Sequence, residues 1–152
     1  MTTKTLAQLF QQARGQAIVW GDDMVKQIFL LPLHAGNLPC EIQFLAIKKV
    51  PTQGLRLRIE KASIEVENQH LTDLVLWTDT APDTVTFEVS GKAEHTLKIW
   101  NVWRIDGIMQ AWVGNAGMVI SNNDGGTTLR CSDGTQNVSF DDLVAHLKFR
   151  QC

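Results

Sequence analysis

The hydrophobic positions change period once along the chain. Over residues 5–14, Leu6, Leu9, Phe10 and Ala13 fall at the three- and four-residue spacing of one helix face. Thr5 and Gln8 have the spacing of a capping box, and Gly15 follows where a helix commonly ends. A short helix is predicted there, docked on the domain or plugging one end of it. Beyond it the pattern becomes that of strands. Met24–Leu31 is an apolar run. In Glu41–Val50, Ile42, Phe44, Ala46 and Lys48 share one face and Gln43, Leu45, Ile47 and Lys49 the other. Leu55, Leu57 and Ile59 oppose Arg56, Arg58 and Glu60, and Ile64–Glu67 alternates as well. Leu74–Trp77 and Thr84–Val89 flank a turn at Pro82-Asp83, with Val85, Phe87 and Val89 on one face. Leu143, Ala145, Leu147 and Phe149 alternate with Val144, His146 and Lys148.

Asp106-Gly107, Asp124-Gly125 and Asp133-Gly134 each mark a reversal, since Gly, and Asp more readily than most residues, accept positive φ. The pattern predicts roughly eight to ten short strands with a turn signal every 8–12 residues or so. The expected architecture is a single domain over residues 1–152. It is all-β, an antiparallel β-sandwich of jelly-roll-like form, with a short N-terminal α-helix over about 5–14 and strands over about 24–149. No strand–helix–strand alternation, fixed-period repeat or linker is visible.

Composition narrows the function classes. The 152 residues are 44% hydrophobic and 20% charged, enough to bury a core without metals or disulfides. A net charge of -2 supplies no bulk basic field for nucleic acid or an anionic membrane. The longest apolar run, Ile28–Leu33, is interrupted by Pro32 and is far shorter than a membrane helix. The first residues, MTTKTLAQLFQQARG, lack the apolar core of a secretory signal. The three cysteines, Cys40, Cys131 and Cys152, have no zinc spacing and fit a reducing compartment. A cytoplasmic protein is expected. Cys131 reads as a small buried hydrophobe, and Cys152 as a thiol able to link two chains on oxidation.

Three of the five tryptophans lie in WNVWRIDGIMQAW, Trp100–Trp112. A two-residue turn at Asp106-Gly107 would pair Ile105 with Ile108, Arg104 with Met109, Trp103 with Gln110, Val102 with Ala111, Asn101 with Trp112 and Trp100 with Val113. Side chains then alternate between two faces. Trp100, Val102, Arg104, Met109, Ala111 and Val113 make the expected core face. Asn101, Trp103, Gln110 and Trp112 make a checkerboard of indoles and carboxamides on the other, with Leu97, Ile99, Ile105 and Ile108 at its ends. As a ligand platform, the two indoles would stack on the CH face of a sugar while Asn101 and Gln110 select its hydroxyls. As plain packing, the hairpin would be buried on both faces and Asn101 and Gln110 would satisfy backbone groups. Gly114-Asn115-Ala116-Gly117 then reads as a bend between sheets, or as a point of close approach by a ligand or another backbone.

Other candidate chemistry is thinner. Ser121–Thr127, Ser132-Asp133-Gly134 and Asp141-Asp142 are rich in oxygen ligands, but no ordered calcium-loop series is present; turn chemistry explains them better than a structural calcium. Gly21-Asp22-Asp23 reads as a solvated turn. His34, His70, His95 and His146 form no metal or nucleophile motif. Arg56 and Arg58 share the polar face of one strand with Lys61 just beyond, an arrangement suited to a carboxylate or phosphate, though Glu60 on that face equally makes it an ordinary solvated one. Glu65 and Glu67 likewise read as an outer polar face.

Trp-rich antiparallel strands joined by Asn/Asp/Gly loops resemble the jelly-roll sandwiches that include many carbohydrate-binding modules. The resemblance implies a recognition role and carries over no residue. The leading expectation is a non-enzymatic binding module for a glycan or other small polar ligand, with no cofactor. The alternatives are a protein-interaction or homo-oligomeric assembly module, and a small jelly-roll enzyme with a His/Glu metal site in the sandwich interior.

Overall fold

The computed structural model describes residues 4–123 and 125–149, so Asp124 and Cys152 lie outside the described residues. The helix α1 (Leu6–Gln12) comes first. Both halves of its capping box form: Thr5 Oγ1 accepts from the Gln8 N–H at 3.2 Å, and Gln8 Oε1 accepts from the Thr5 N–H at 2.8 Å. Gly15, at φ 81°, closes the end by donating to the Phe10 carbonyl at 2.8 Å.

The strands follow in chain order. They are β1 (Ile18–Trp20), β2 (Asp23–Lys26), β3 (Phe29–Leu33), β4 (Gly36–Ile47), β5 (Thr52–Ile59), β6 (Ala62–Val66) and β7 (Gln69–Leu71). Then come β8 (Asp73–Trp77), β9 (Thr84–Gly91), β10 (His95–Ile105), β11 (Ile108–Gln110), β12 (Gly117–Asn123), β13 (Gly126–Ser132) and β14 (Leu143–Phe149). That is more than expected, because β1 and β7 are three residues each, too short to display an alternation. The run Met24–Leu31 is also divided between β2 and β3.

Two antiparallel sheets form a β-sandwich. One has nine strands in the order β1-β2-β12-β13-β14-β4-β9-β6-β7; the other runs β11-β10-β5-β8, with β3 also paired to β10. Between them lies one apolar core. The small sheet contributes Leu55, Leu57, Ile59, Leu76, Leu97 and Ile99; the large sheet contributes Ile42, Phe44, Ile64, Val85, Phe87, Val89, Leu129, Leu143, Ala145 and Leu147. A β-bulge corrects one expected face. Ala145 faces Phe44 while Val144 faces Ala46, so Leu45 is the extra residue. The alternation flips there: Leu45 and Ala46 are exposed, and Ile47 turns towards the core.

Helix α1 closes one end. Leu6 and Phe10 are buried with Ile18, Val25 and Val119 in a second apolar cluster. The Gly114–Gly117 segment carries the chain from β11 in the small sheet to β12 in the large one and also holds the helix. Asn115 Oδ1 accepts from the Leu6 N–H at 3.2 Å, and the Gly114 carbonyl accepts from Ala7 at 2.9 Å. Another backbone comes close here: a Cβ on Gly114 would collide with the Gly134 carbonyl.

Candidate functional site

The Asp106-Gly107 turn forms as expected, with φ 51° and 77°, and it pairs Ile105 with Ile108, Arg104 with Met109 and Trp103 with Gln110. The predicted register ends there. Strand β11 stops at Gln110, and Trp112 adopts φ 59° in the connection that follows, so it never faces Asn101. Strands β3 and β11 lie end to end along one side of β10, pairing at Leu33–Phe29 and Gln110–Ile108. The Trp100–Val102 stretch between them has no partner strand on that side. Trp112 fills this gap. Its ring stacks on Trp100 with centroids 5.0 Å apart, and its Nε1–H donates to the Gln27 carbonyl at 3.2 Å.

Strand β10 is buried on both faces, as the packing reading expects: Trp100 (4% exposed) and Val102 (0%) are core on the outer face of the small sheet. Leu97, Ile99, Asn101 and Trp103 point into the sandwich, with Asn101 2% and Trp103 1% exposed. Asn101 donates from Nδ2 to the Ser132 carbonyl at 2.9 Å, a backbone-satisfying role. The Trp103 ring lies against Gly134, where a Cβ would sit 2.6 Å from Cζ2. The same loop buries Asp133. Its carboxylate accepts from Gln53 Nε2 at 2.8 Å, Lys48 Nζ at 3.0 Å and the Thr135 hydroxyl at 2.6 Å. Burial raises the Asp133 carboxyl, and bonds from Thr135, Lys48 and Gln53 outweigh it, leaving the group below its ordinary range. Asp142 accepts from the Asp133 N–H at 2.9 Å and is shifted upwards, by burial first and then by the Asp133 charge against that bond. Asp133-Gly134 is thus the start of a broad internally bonded loop, and a tight reversal does not form there.

Of the four residues in the expected checkerboard, Asn101 and Trp103 are core, Gln110 is half-buried beside the turn, and Trp112 is 39% exposed on the opposite face. Register keeps Asn101, Trp103 and Gln110 on one face, with Trp103 paired to Gln110 as expected, and only Trp112 leaves it. What assembles besides is the outer face of the small sheet. Register places Val75, Arg56 and Trp100 in one row and Trp77, Gly54 and Val102 in the next. Without a Cβ, Gly54 lets the Trp77 ring lie on its backbone; an added Cβ would be 2.7 Å from Cε3. The Arg56 guanidinium sits 5.4 Å from the Trp100 ring centroid and binds Asp73 through two bonds of 2.9 and 2.6 Å. The Arg104 guanidinium sits 4.7 Å from the Trp77 centroid and binds Asp79 at 2.5 Å. The Arg56 bond holds Asp73 below the usual carboxylate range, against a smaller effect of burial. Each guanidinium is thereby fixed over an indole.

The same corner of the molecule gathers exposed apolar side chains. Ile105 (41%), Ile108 (62%), Met109 (37%), Trp112 and Val113 (50%) occur within nine residues. Sequence reasoning missed Trp77, Trp100, Arg56 and Arg104 as one cluster. The local signals were the Arg56/Arg58 polar face and the shared face of Trp100 and Arg104; the rest depends on β8, β5 and β10 being neighbours. Among the described residues, no three His, Cys, Asp or Glu side chains gather as a metal site, and no helix is long and apolar enough to cross a membrane.

No protein-family model matches the chain, and no curated protein does. Among solved structures, the lectin CV2L of Chromobacterium violaceum, in complex with alpha-methyl-fucoside, is similar over 83% of this chain and 97% of its own. The identity is 14% and the TM-score 0.37.

Proposed function

We propose that the chain is a non-enzymatic module that recognises a glycan on the outer face of its small sheet. The observation that carries this reading is the Trp112 ring, 39% exposed and backed by the buried Trp100, on a face that also carries two guanidinium–carboxylate pairs. Trp112 commits its N–H to Gln27 and one ring face to Trp100, which fixes the ring and leaves the remainder to a ligand. An indole suits the apolar CH face of a pyranose, and Asp73, Asp79, Arg56 and Arg104 supply acceptors and donors for hydroxyls. Of the residues expected from sequence, Trp112 keeps a place in this site; Asn101 and Trp103 support it from the core side of β10.

The test is a glycan array followed by calorimetry on wild type and Trp112→Ala. A loss of at least about tenfold in affinity is expected from removing the stacking ring. Unchanged affinity in the folded variant would remove the platform from the function.

The exposed Ile105, Ile108, Met109 and Val113 favour a second reading, self-association through this corner. Sedimentation equilibrium decides it: a monomer at every concentration excludes it.

A further inference from the structure

Next to the tryptophans on the same outer face lie two cations that form no ion pair among the described residues. Register sets Lys98 of β10 directly opposite Arg58 of β5. Like charges placed so are unfavourable for the sheet by themselves. Asp73 stands opposite Arg58 from the other side and feels its charge, but its hydrogen bonds are to Arg56. Among the described residues, neither Arg58 nor Lys98 has a carboxylate oxygen within 4.0 Å. With the residues of the adjoining recess, the five cations Arg56, Arg58, Lys61, Lys98 and Arg104 meet four carboxylates, Asp73, Asp79, Glu60 and Glu94, so the difference is one positive charge.

Lys98 is two residues from Trp100 on the same strand and face, roughly 6.8 Å away along the chain, about the width of one sugar ring. Arg58 and Lys98 also line a recess of about 280 Å³, with Lys61 at its rim. Glu60 and Glu94 line it too, and among the described residues neither comes within 4.0 Å of these three cations. They remain available to accept from hydroxyls.

We infer that the ligand is an anionic saccharide. Its ring stacks on Trp112, and its carboxylate or sulfate sits between Arg58 and Lys98. This rests on the platform reading of the preceding subsection and adds the substrate class. Planar guanidinium and ammonium together suit either anion, and charge-assisted bonds supply the preference.

The experiment titrates wild type with a neutral oligosaccharide, its uronate counterpart and its sulfate ester at low and high salt. Three variants are run beside it: Trp112→Ala, Arg58→Ser/Lys98→Ser, and the charge-keeping Arg58→Lys/Lys98→Arg. Urea unfolding checks that each is folded. Wild type is expected to prefer an acidic form by about ten- to a hundredfold, less in high salt. The double serine variant should bind all three forms alike, and the charge-keeping variant should retain a preference. Whichever of uronate and sulfate binds more tightly identifies the anion. Equal binding of neutral and acidic forms by wild type overturns this inference and leaves the platform standing. So does a preference that survives in the double serine variant. Binding to none of the three overturns both.

Discussion

Replacing Trp103 and Trp112 separately by alanine distinguishes the two roles that tryptophan plays in this fold. Trp103 is 1% exposed, so nearly its whole side chain, of order 200 Å², leaves water on folding. At about 25 cal/mol per Å² that is about 5 kcal/mol as an upper bound, and about 3–4 after allowing for a compact unfolded chain. The cavity left beside Gly134 adds to the loss. Against this, the indole Nε1 has no hydrogen-bond partner, and its removal returns about 1 kcal/mol or more. The expected cost is about 3–4 kcal/mol. Trp112 is 39% exposed, which leaves about 120 Å² buried and about 2 kcal/mol after the same allowance. Its stack on Trp100 is one-sided, and its bond to Gln27 is exposed and replaceable by water. Urea unfolding, monitored by far-ultraviolet circular dichroism to avoid the lost fluorophore, reads both. Trp103→Ala should be the more destabilised by at least about 1 kcal/mol. Equal costs, or a larger one for Trp112→Ala, would refute the assignment of Trp103 to the core and Trp112 to the outer face.

Three further outcomes follow from the same packing. Gly134→Ala puts a methyl against the Trp103 ring and the Val113 carbonyl, and should cost about 1–3 kcal/mol in urea unfolding; a neutral effect would contradict the close approach. Asp133 has its carboxyl below the unfolded value, so its contribution is full above about pH 4–5 and is lost as pH falls through the folded value; the stability difference between wild type and Asp133→Asn should be flat near neutrality and shrink in acid, and a difference that grows in acid would reverse the sign. Burial, with the nearby Glu88 charge, pushes the Cys40 thiol up to about 12, and burial raises Cys131 as well; in a Cys152→Ser background neither should react with a thiol reagent at pH 8 until urea unfolds the chain.

Much of the fold was legible because alternation reports burial directly. Leu55, Leu57 and Ile59, and Val85, Phe87 and Val89, lie inward as their spacing requires. Asp106-Gly107 fixed the turn and the first pairs of its hairpin. Two local departures from regular geometry then defeated the pattern. The bulge at Leu45 shifts the alternation by one residue, and the left-handed backbone at Trp112 ends a strand at a residue type that gives no sign of it. Choosing which face of β10 turns into the sandwich needed more than the hairpin, since each face carries an indole. The presence of the large sheet on one side decides it. The outer cluster was illegible for a related reason: Trp77, Arg56 and Trp100 are far apart in sequence and meet only through the strand order β8-β5-β10.

The nine-strand sheet stops at both ends on strands of three residues, β1 and β7. An open sheet edge is a template on which a foreign strand can grow, and the strength of that template depends on how many unpaired backbone groups lie in line. Here each end offers a footing too short to start on, and each short strand closes back on its neighbour in a hairpin. Wide sheets usually risk recruiting passers-by through their margins. This one ends at both margins on a hairpin that leaves few unpaired backbone groups in line, so its width does not bring a long open edge with it.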